Sequence, residues 1–168
     1  GVAGAWVGSI PMLVISGQVM RKDRGPKHKI RQMGIQEIDI LSVAKNLTKY
    51  AVTIEDPNSI KYHLDKALYL STSGKPGPVW IEIPLDVQSS FINPKKLKNF
   101  KPKKKKTKIS IKLFQKSIKL INEAKKPLII GGYGIRSSNA VKELLKLIKK
   151  TQIPFSPTWN AIDIINSN

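Results

Sequence analysis

The sequence contains no cysteine, so disulfide bonds, thiolate metal sites and cysteine nucleophiles are excluded. This absence fits a reducing compartment, and we expect a cytoplasmic protein. No apolar run approaches the roughly 20 residues that a helix needs to span a bilayer, so we expect no membrane segment. Residues 1–7 follow no basic stretch and do not resemble a signal peptide. They resemble the end of an apolar helix, and without an initiator methionine we expect a fragment.

Acidic residues are scarce, because 11 Asp and Glu stand against 30 Lys and Arg, a formal net charge of +19. Such a charge attracts nucleic acid in a salt-sensitive and sequence-independent manner. The densest basic block, residues 95–108, contains Phe100 as its one aromatic residue and offers no platform for base stacking. We therefore expect no nucleic-acid partner, and a basic nucleic-acid-associated protein is only a third hypothesis.

The first half of the sequence alternates predicted strands and helices. Apolar or β-rich runs predict strands, the first and last of them buried, at residues 11–17, 48–54 and 79–83. Residues 19–33 predict a loop, and the spacing in residues 38–45 predicts a helix. Asp56-Pro57 predicts the start of the next helix, since Asp caps helices and Pro is tolerated at their first position. Its predicted apolar stripe consists of Ile60, Leu64, Ala67 and Leu68. This β-α-β-α-β order indicates a parallel sheet covered by helices.

Residues 87–108 are rich in Lys and Pro and poor in periodic apolar residues, so they predict a linker. The alternation then restarts with a helical face made of Ile111, Phe114, Ile118 and Ile121. Next come a strand at residues 127–130, a turn at residues 131–134, a helix capped by Ser137 or Ser138, and a strand from residue 153. This α-β-α-β order is typical of the opening of a doubly wound, Rossmann-like domain.

Two segments are candidates for ligand contact. Gly131-Gly132-Tyr133-Gly134 joins a strand to a helix, where backbone amides can face a phosphate. It lacks the full G-x-G-x-x-G spacing, which favours a turn that needs glycine for positive φ or close packing. Gln36-Glu37 stands at the predicted start of a helix. The helix dipole alone explains Glu37 there, whereas Gln36 fits a structural role and an amide directed at a ligand equally well.

Neither histidine predicts a metal site. His28 lies in a basic loop and His63 lies beside the apolar stripe of its helix, and neither has carboxylates at metal-ligand spacing. We therefore predict no metal ligand within this chain. The sequence also lacks a G-x-S-x-G elbow and a Walker A motif, the usual markers of serine hydrolases and P-loop enzymes.

Several blocks, in colinear order, resemble thiamine-diphosphate enzymes of the acetolactate synthase type. Residues 9–18 are similar to the segment after the thiamine-binding helix, residues 34–39 to the Phe-Gln-Glu element, and residues 48–50 to the strand beyond it. The Gly/Pro turn and strand at residues 74–86 resemble the end of the pyrimidine-binding domain. Residues 126–132 and 153–160 resemble the start of the central domain.

The resemblance implies an α/β fold, with a parallel sheet flanked by helices and then the first half of a Rossmann-like central domain. Residues 1–86 would be the C-terminal part of the pyrimidine-binding domain, residues 87–108 a Lys-rich linker, and residues 109–168 the N-terminal part of the central domain. It also implies a carboligase or decarboxylase that uses thiamine diphosphate and Mg2+ on a 2-keto acid such as pyruvate, as a homodimer or homotetramer.

The same resemblance implies roles for particular residues. Gln36 would be the catalytic residue, near the reacting thiazolium, where it would help to place the substrate. The central-domain positions that contact FAD in the synthases, and another nucleotide or none in other relatives, correspond to Gly131, Gly132, Tyr133, Thr158, Trp159 and Asn160. Two departures from the family pattern, Ile35 in place of Phe and Leu85 in place of Lys, imply a larger or less anionic acceptor.

The family's ylid-forming Glu and its Gly-Asp-Gly diphosphate and Mg2+ motif have no match in this sequence. The resemblance therefore implies that residues 1–168 alone are inactive and bind thiamine diphosphate weakly or not at all. A second hypothesis stays open, namely a catalytically inactive module with the same folds that binds a nucleotide or a regulatory partner.

Overall fold

The structure, a computed structural model, describes residues 1–25, 29–102 and 109–165. The chain forms two compact units, Gly1–Lys104 and Lys105–Asn168, each with its own parallel sheet. His28 and residues 103–108 of the expected linker lie outside the described residues. No helix within the described ranges is both long enough and apolar enough to cross a membrane.

The first unit alternates strands and helices in the predicted order. Its elements are α1 (Val2–Gly8), β1 (Met12–Gln18), α2 (Ile40–Ala44), β2 (Tyr50–Thr53), α3 (Ile60–Thr72), β3 (Pro78–Pro84) and α4 (Leu85–Gln88). All three strands are parallel, in the order β1-β3-β2. The central position of β3 buries Val79 and Ile81 completely. The first strand was expected to be buried. This is wrong for Ile15, which is exposed because β1 lies at the edge of the sheet.

The core of this unit forms where α3 packs on the sheet. Its fully buried members include Ile54, Ala67 and Ile81. The predicted stripe of α3 is correct for Ile60, Leu64 and Ala67 but wrong for Leu68, which is 55% exposed. The stripe continues instead through Leu70 and Ser71, the positions three and four residues after Ala67, which lie on the same helical face.

The predicted cap at Asp56 is confirmed. The Asp56 carboxylate accepts a hydrogen bond from the backbone N of Asn58 at 3.0 Å. Pro57 begins a turn of 3-10 helix, Pro57–Ser59, that leads directly into α3. This agreement is expected because a cap depends only on residues adjacent in sequence.

Part of the expected linker is packed within the first unit. After α4, the chain forms a short 3-10 turn at Pro94–Lys96. The Phe100 ring then meets the Tyr62 and Tyr69 rings of α3 at centroid distances of 5.6 and 5.7 Å. Residues 87–102 therefore include a segment that α3 anchors, although the domain boundaries at 86 and 108 stay predictions.

The second unit contains α5 (Ile111–Glu123), β4 (Ile129–Gly131), α6 (Tyr133–Ser137), α7 (Val141–Thr151) and β5 (Phe155–Pro157). Strands β4 and β5 are parallel neighbours. Leu144, Ala161 and Ile164 form its core, with Phe155 packed against them. Every residue of α5 is exposed, including its predicted apolar face. The two units together confirm the α/β class with parallel sheets flanked by helices.

Two predictions for the second unit are wrong. The expected turn at residues 131–134 ends early, because α6 already begins at Tyr133. Neither Ser137 nor Ser138 caps α7; their hydroxyls donate to the Gly134 carbonyl at 3.1 and 2.8 Å. Both serines lie at the end of α6, within reach of the carbonyl one turn earlier in the same helix, and Ala140 occupies the cap position of α7.

Candidate functional site

The three parallel strands of the first unit end at one edge of the sheet. This edge brings together Gln18 at the end of β1, Thr53 at the end of β2, and Glu82 near the end of β3. Ligands of open α/β sheets bind at the carboxyl ends of the strands, so this edge is the first place to search for a site.

Glu82 is a buried carboxylate, 3% exposed, with both oxygens hydrogen-bonded by neighbouring strands. The Gln18 amide donates to Oε1 at 2.9 Å, and the Thr53 hydroxyl donates to Oε2 at 2.6 Å. Gln18 Nε2 also donates to the Ile38 carbonyl at 2.8 Å, outside the sheet. The three side chains therefore link the sheet edge to the loop that precedes α2.

Glu37 organises that loop. Its carboxylate accepts backbone N–H groups from Gly25 at 2.6 Å, Met33 at 2.8 Å and Gly34 at 3.2 Å. The Met33 N–H lowers the pKa of Glu37, with Gly25, Gly34 and the Arg24 charge acting in the same direction against burial. The expected role of Glu37 at a helix start is wrong, because α2 begins at Ile40 and Asp39 is its cap.

Gln36 lies in a turn rather than at a helix start. Its φ is +63°, a left-handed conformation, and the residue is exposed. It lines a cleft of about 360 Å³, which we call the amide cleft, together with Gln18, Ile35, Leu85 and Gln88. The structure thus brings Gln36 together with Ile35 and Leu85, the two positions at which the sequence departs from the family pattern.

The three glutamine amides that line the amide cleft differ in their contacts, and that of Gln18 is engaged by Glu82 and the Ile38 carbonyl. Gln88 Nε2 donates to the Ile83 carbonyl at 2.7 Å and is occupied. The Gln36 amide makes no hydrogen bond to any residue in the described part of the chain. Gln36 is therefore the amide available to a ligand.

A second cleft, of about 250 Å³, adjoins the first and shares Gln18 and Ile38 with it. This polar cleft is also lined by Arg24, Glu37, Thr53 and Glu82. Arg24 forms an ion pair with Glu55, and its buried Nε has no partner within residues 1–25, 29–102 and 109–165. The clustered carboxylates make this cleft unsuited to an anion.

The second unit has its own strand edge. The register pairs Gly131 of β4 with Pro157 of β5, so Gly132 and Tyr133 leave the sheet beside the segment Thr158–Asn160. The Thr158 backbone N donates to the Gly131 carbonyl at 2.7 Å. All six predicted nucleotide-contact residues therefore lie at one edge.

Packing within the second unit explains some of those six residues and leaves others exposed. A Cβ on Gly131 would lie 2.4 Å from Phe155 and 2.7 Å from Ile135, so close packing alone requires glycine there. Trp159 is 91% exposed, and Asn160 is also exposed, with no core role. Tyr133 is 38% exposed. Gly131 is thus a packing residue, whereas Trp159, Asn160 and Tyr133 offer free surface at the edge.

His63 takes part in a local contact in α3. Its Nδ1 lies 2.5 Å from the Tyr50 hydroxyl. Burial lowers the pKa of His63, and the Lys66 ammonium acts in the same direction. Within the described residues, no group of three or more His, Asp or Glu side chains is arranged to hold a metal ion.

Sequence reasoning missed Gln18, Thr53 and Glu82. A signal was present, because each is a polar residue at or near the carboxyl end of a predicted strand. Parallel strands bring such residues together at one edge. The pairing of Gln18 with Glu82 spans 64 positions, which no local pattern reveals.

Comparison with known proteins shows what the chain is similar to. Residues 114–168 match the family described as "Thiamine pyrophosphate enzyme, central domain". The chain is 35% identical to the probable acetolactate synthase large subunit of Methanocaldococcus jannaschii, over 94% of the chain and 27% of that relative. It is 34% identical to the acetolactate synthase large subunit of Buchnera aphidicola subsp. Schizaphis graminum, over 100% of the chain and 29% of that relative.

A third relative has a different name. The chain is 31% identical to the glyoxylate carboligase of Escherichia coli O157:H7, over 92% of the chain and 26% of that relative. The fold and the matches together are similar to those of the thiamine pyrophosphate enzymes. Within that class, the chain is similar over most of its length to acetolactate synthase large subunits. It spans about a quarter of the length of these relatives.

Proposed function

We propose that the full-length protein is a thiamine-diphosphate-dependent carboligase or decarboxylase, a transferase or lyase that acts on 2-keto acids such as pyruvate. The observation that carries this proposal is the match of 92–100% of the chain to acetolactate synthases and a glyoxylate carboligase. When bound, thiamine diphosphate supplies the electron sink for the carbanion left by loss of CO2. The proposal includes Mg2+, a homodimer or homotetramer, and a cytoplasmic location.

The described residues fit one side of such a cofactor site. The amide cleft offers a free Gln36 amide beside apolar Ile35 and Leu85 side chains, a suitable surface for a neutral ring and a substrate carbonyl. Among the described residues, no group of three or more His, Asp or Glu side chains is arranged to hold a metal ion. We propose, from the resemblance to the longer relatives, that the diphosphate and Mg2+ are bound outside residues 1–168, and that these residues alone are inactive.

The first experiment tests the reaction itself. The full-length protein with thiamine diphosphate and Mg2+ is given pyruvate and other 2-keto acids, and CO2 release and coupled products are measured. We expect decarboxylation of at least one 2-keto acid followed by carbon–carbon bond formation. Failure to decarboxylate any of them would contradict the proposal, and nucleotide binding without decarboxylation would favour the inactive binding module.

Residues 1–168 provide a separate test of where the cofactor is held. Calorimetric titration of this chain with thiamine diphosphate and Mg2+ should show weak binding or none, whereas the full-length protein should bind both. Tight, Mg2+-dependent binding to residues 1–168 would contradict the division of the site.

The proposed catalytic role of Gln36 is to donate its amide N–H to the substrate carbonyl oxygen. We expect Gln36→Ala in the full-length protein to lower kcat/KM by roughly 100-fold, the typical effect of losing one such donor. Gln88→Ala is the matched control, because Gln88 lines the same cleft but its amide is already bound to the Ile83 carbonyl. Equal losses in the two variants would contradict the role of Gln36.

The proposed acceptor is larger or less anionic than the second pyruvate of an acetolactate synthase. Ile35 and Leu85 are 90% and 53% exposed in the amide cleft, so both are free to contact it. Leu85→Lys should raise the turnover of pyruvate to acetolactate. Leu68→Lys, at an equally exposed position on α3, should leave it unchanged. A robust acetolactate rate in the unmodified protein would contradict the altered acceptor.

The proposed nucleotide site lies at the edge of the second unit, where FAD or another nucleotide would contact Gly131, Gly132, Tyr133, Thr158, Trp159 and Asn160. The exposure of Trp159 supports it. Titration of the full-length protein with FAD should quench fluorescence, and Trp159→Phe should reduce the quenching while Trp6→Phe should not. Quenching that is unaffected by Trp159→Phe would contradict this site.

A further inference from the structure

We propose that Gln18 and Glu82 are positioning residues that transmit the geometry of the first sheet to the turn that carries Gln36, an inference that rests on the proposed function of Gln36. Gln18 also lines the amide cleft, but its amide nitrogen is engaged by Glu82 and by the Ile38 carbonyl. Both act by fixing the backbone two residues beyond Gln36.

Glu82 is held rigidly in the first sheet. Glu82 sits on the central strand β3, is 3% exposed, and accepts one hydrogen bond from each flanking strand. A buried carboxyl group whose oxygens are both engaged has one favourable position, because any displacement leaves a buried polar oxygen without a partner. Glu82 is therefore a fixed acceptor for the Gln18 amide.

The Gln18 amide has a defined orientation. Its Oε1 accepts the Val19 backbone N–H at 2.9 Å, which directs the NH2 group towards the loop and the carboxylate. The two amide hydrogens then serve two acceptors, Glu82 Oε1 at 2.9 Å and the Ile38 carbonyl at 2.8 Å. The oxygen and both hydrogens of the Gln18 amide are thus hydrogen-bonded. Gln18 therefore connects β3 to the loop.

The loop side is held by a second anchor. The Glu37 carboxylate fixes residue 37 to Gly25, Met33 and Gly34. Gly34 also approaches Val19 so closely that a Cβ would lie 2.8 Å from its side chain. The turn is thus fixed at residue 37 by its own carboxylate and at residue 38 by Gln18.

Gln36 needs these anchors because of its backbone. A φ of +63° is unfavourable for a residue with a Cβ and persists where the surroundings impose it. Two adjacent anchors immediately after Gln36 supply that constraint. Loss of the Gln18 contact should let the turn relax and move the Gln36 amide from the amide cleft.

The test variant is Gln18→Met in the full-length protein, which keeps the side-chain volume and removes both N–H donors. Its matched control is Ser16→Ala, which removes the hydrogen bond from Trp80 Nε1 to Ser16 Oγ at 2.8 Å. That bond joins the same two strands, β1 and β3, but does not reach the loop. A purely structural role predicts the same outcome for both variants.

Amide hydrogen exchange at residues 35–39 is the first readout. Gln18→Met should speed exchange there about tenfold or more, whereas Ser16→Ala should not, since only one of the lost bonds holds the loop. The double variant Gln18→Met with Glu82→Leu also removes the buried carboxyl group that Gln18→Met leaves without its donor, so it tests the same contact if the single variant does not fold. Unchanged exchange at residues 35–39 in a folded variant would overturn the proposal.

Activity is the second readout. Gln18→Met should lower kcat about tenfold, and it should cause no further loss when combined with Gln36→Ala, because it acts through Gln36. Additive losses of kcat in the double variant would overturn the proposal that Gln18 acts through Gln36. If the unmodified protein decarboxylates no 2-keto acid, the proposed function fails, while hydrogen exchange alone still decides whether Gln18 holds the turn.

Discussion

Tyr50 on β2 and His63 on α3 share a hydrogen bond, with 2.5 Å between the phenol oxygen and the imidazole Nδ1. Their rings are stacked at a centroid distance of 6.2 Å, and the Lys66 ammonium lies 4.4 Å from the centre of the Tyr50 ring. Burial raises the pKa of Tyr50 and lowers the pKa of His63. The contact therefore favours neutral forms of both rings and links strand and helix.

The first prediction is a pH-dependent stability that originates in His63. Because its pKa is lowered in the fold, the unfolded chain binds the proton more readily, so stability falls as the pH drops below 6.5. The loss is complete below the folded pKa. His63→Gln should flatten the dependence of unfolding free energy on pH between about 5 and 7, as measured by urea unfolding of the full-length protein. An unchanged slope would contradict the assignment.

The second prediction concerns the loop that Glu37 organises. Its lowered pKa means that its stabilising effect is present above the ordinary value of 4.5 and is lost as pH falls through the lower folded pKa. Glu37→Gln should speed amide exchange at Gly25, Met33 and Gly34 at neutral pH. It should also remove the loss of protection that the unmodified loop shows as the pH falls through the pKa of Glu37. Glu123→Gln, at an exposed carboxylate of α5, is the control and should leave these amides unchanged.

The third prediction compares two glycines of the second unit. Gly131→Ala would place a Cβ 2.4 Å from the Phe155 ring, and overpacking of this kind costs about 1–3 kcal/mol. Gly134 has no atom within 4 Å of its Cβ position and lies inside α6, so Gly134→Ala should be neutral or stabilising by up to about 1 kcal/mol. Chemical unfolding checks both, and equal effects would contradict the packing role of Gly131.

The fourth prediction compares two isoleucines that are register partners. Ile15 of β1 pairs with Ile81 of β3, yet Ile15 is 56% exposed and Ile81 is fully buried. Ile81→Ala should cost about 2–5 kcal/mol of unfolding free energy through loss of burial and cavity formation. Ile15→Ala should cost about 1 kcal/mol. A loss at Ile15 as large as that at Ile81 would show that β1 is not a free edge in the full-length protein.

Local features were predictable from the sequence. The Asp56 cap, the strand at β3 and the helix at α5 depend on residues close together in the chain, and all three are present. The exposure of Leu68 was not predictable, because the direction of the α3 stripe follows from the sheet beneath it. The contacts of Ser137 and Ser138 were missed because α6 was expected to be a turn.

The candidate site was predictable only in part. The resemblance in residues 34–39 and the position of Gln36 after a long loop were visible in the sequence, whereas the left-handed φ of Gln36 was not. Glu37 was misassigned because a carboxylate near a helix start suggests a dipole contact. Its actual partners include Gly25, which is twelve residues away along a loop.

The sequence by itself determined the α/β alternation and the Asp56 cap, because patterning and capping act over a few positions. Only the tertiary structure decided that Glu82 is buried between Gln18 and Thr53 and that Gln18 reaches the turn of Gln36. In sequence, Glu82 is 64 positions from Gln18 and 29 from Thr53, and Gln18 is 20 positions from Ile38 in the loop. They form because parallel strands, distant in sequence, end at a common edge, where a buried carboxylate must find donors.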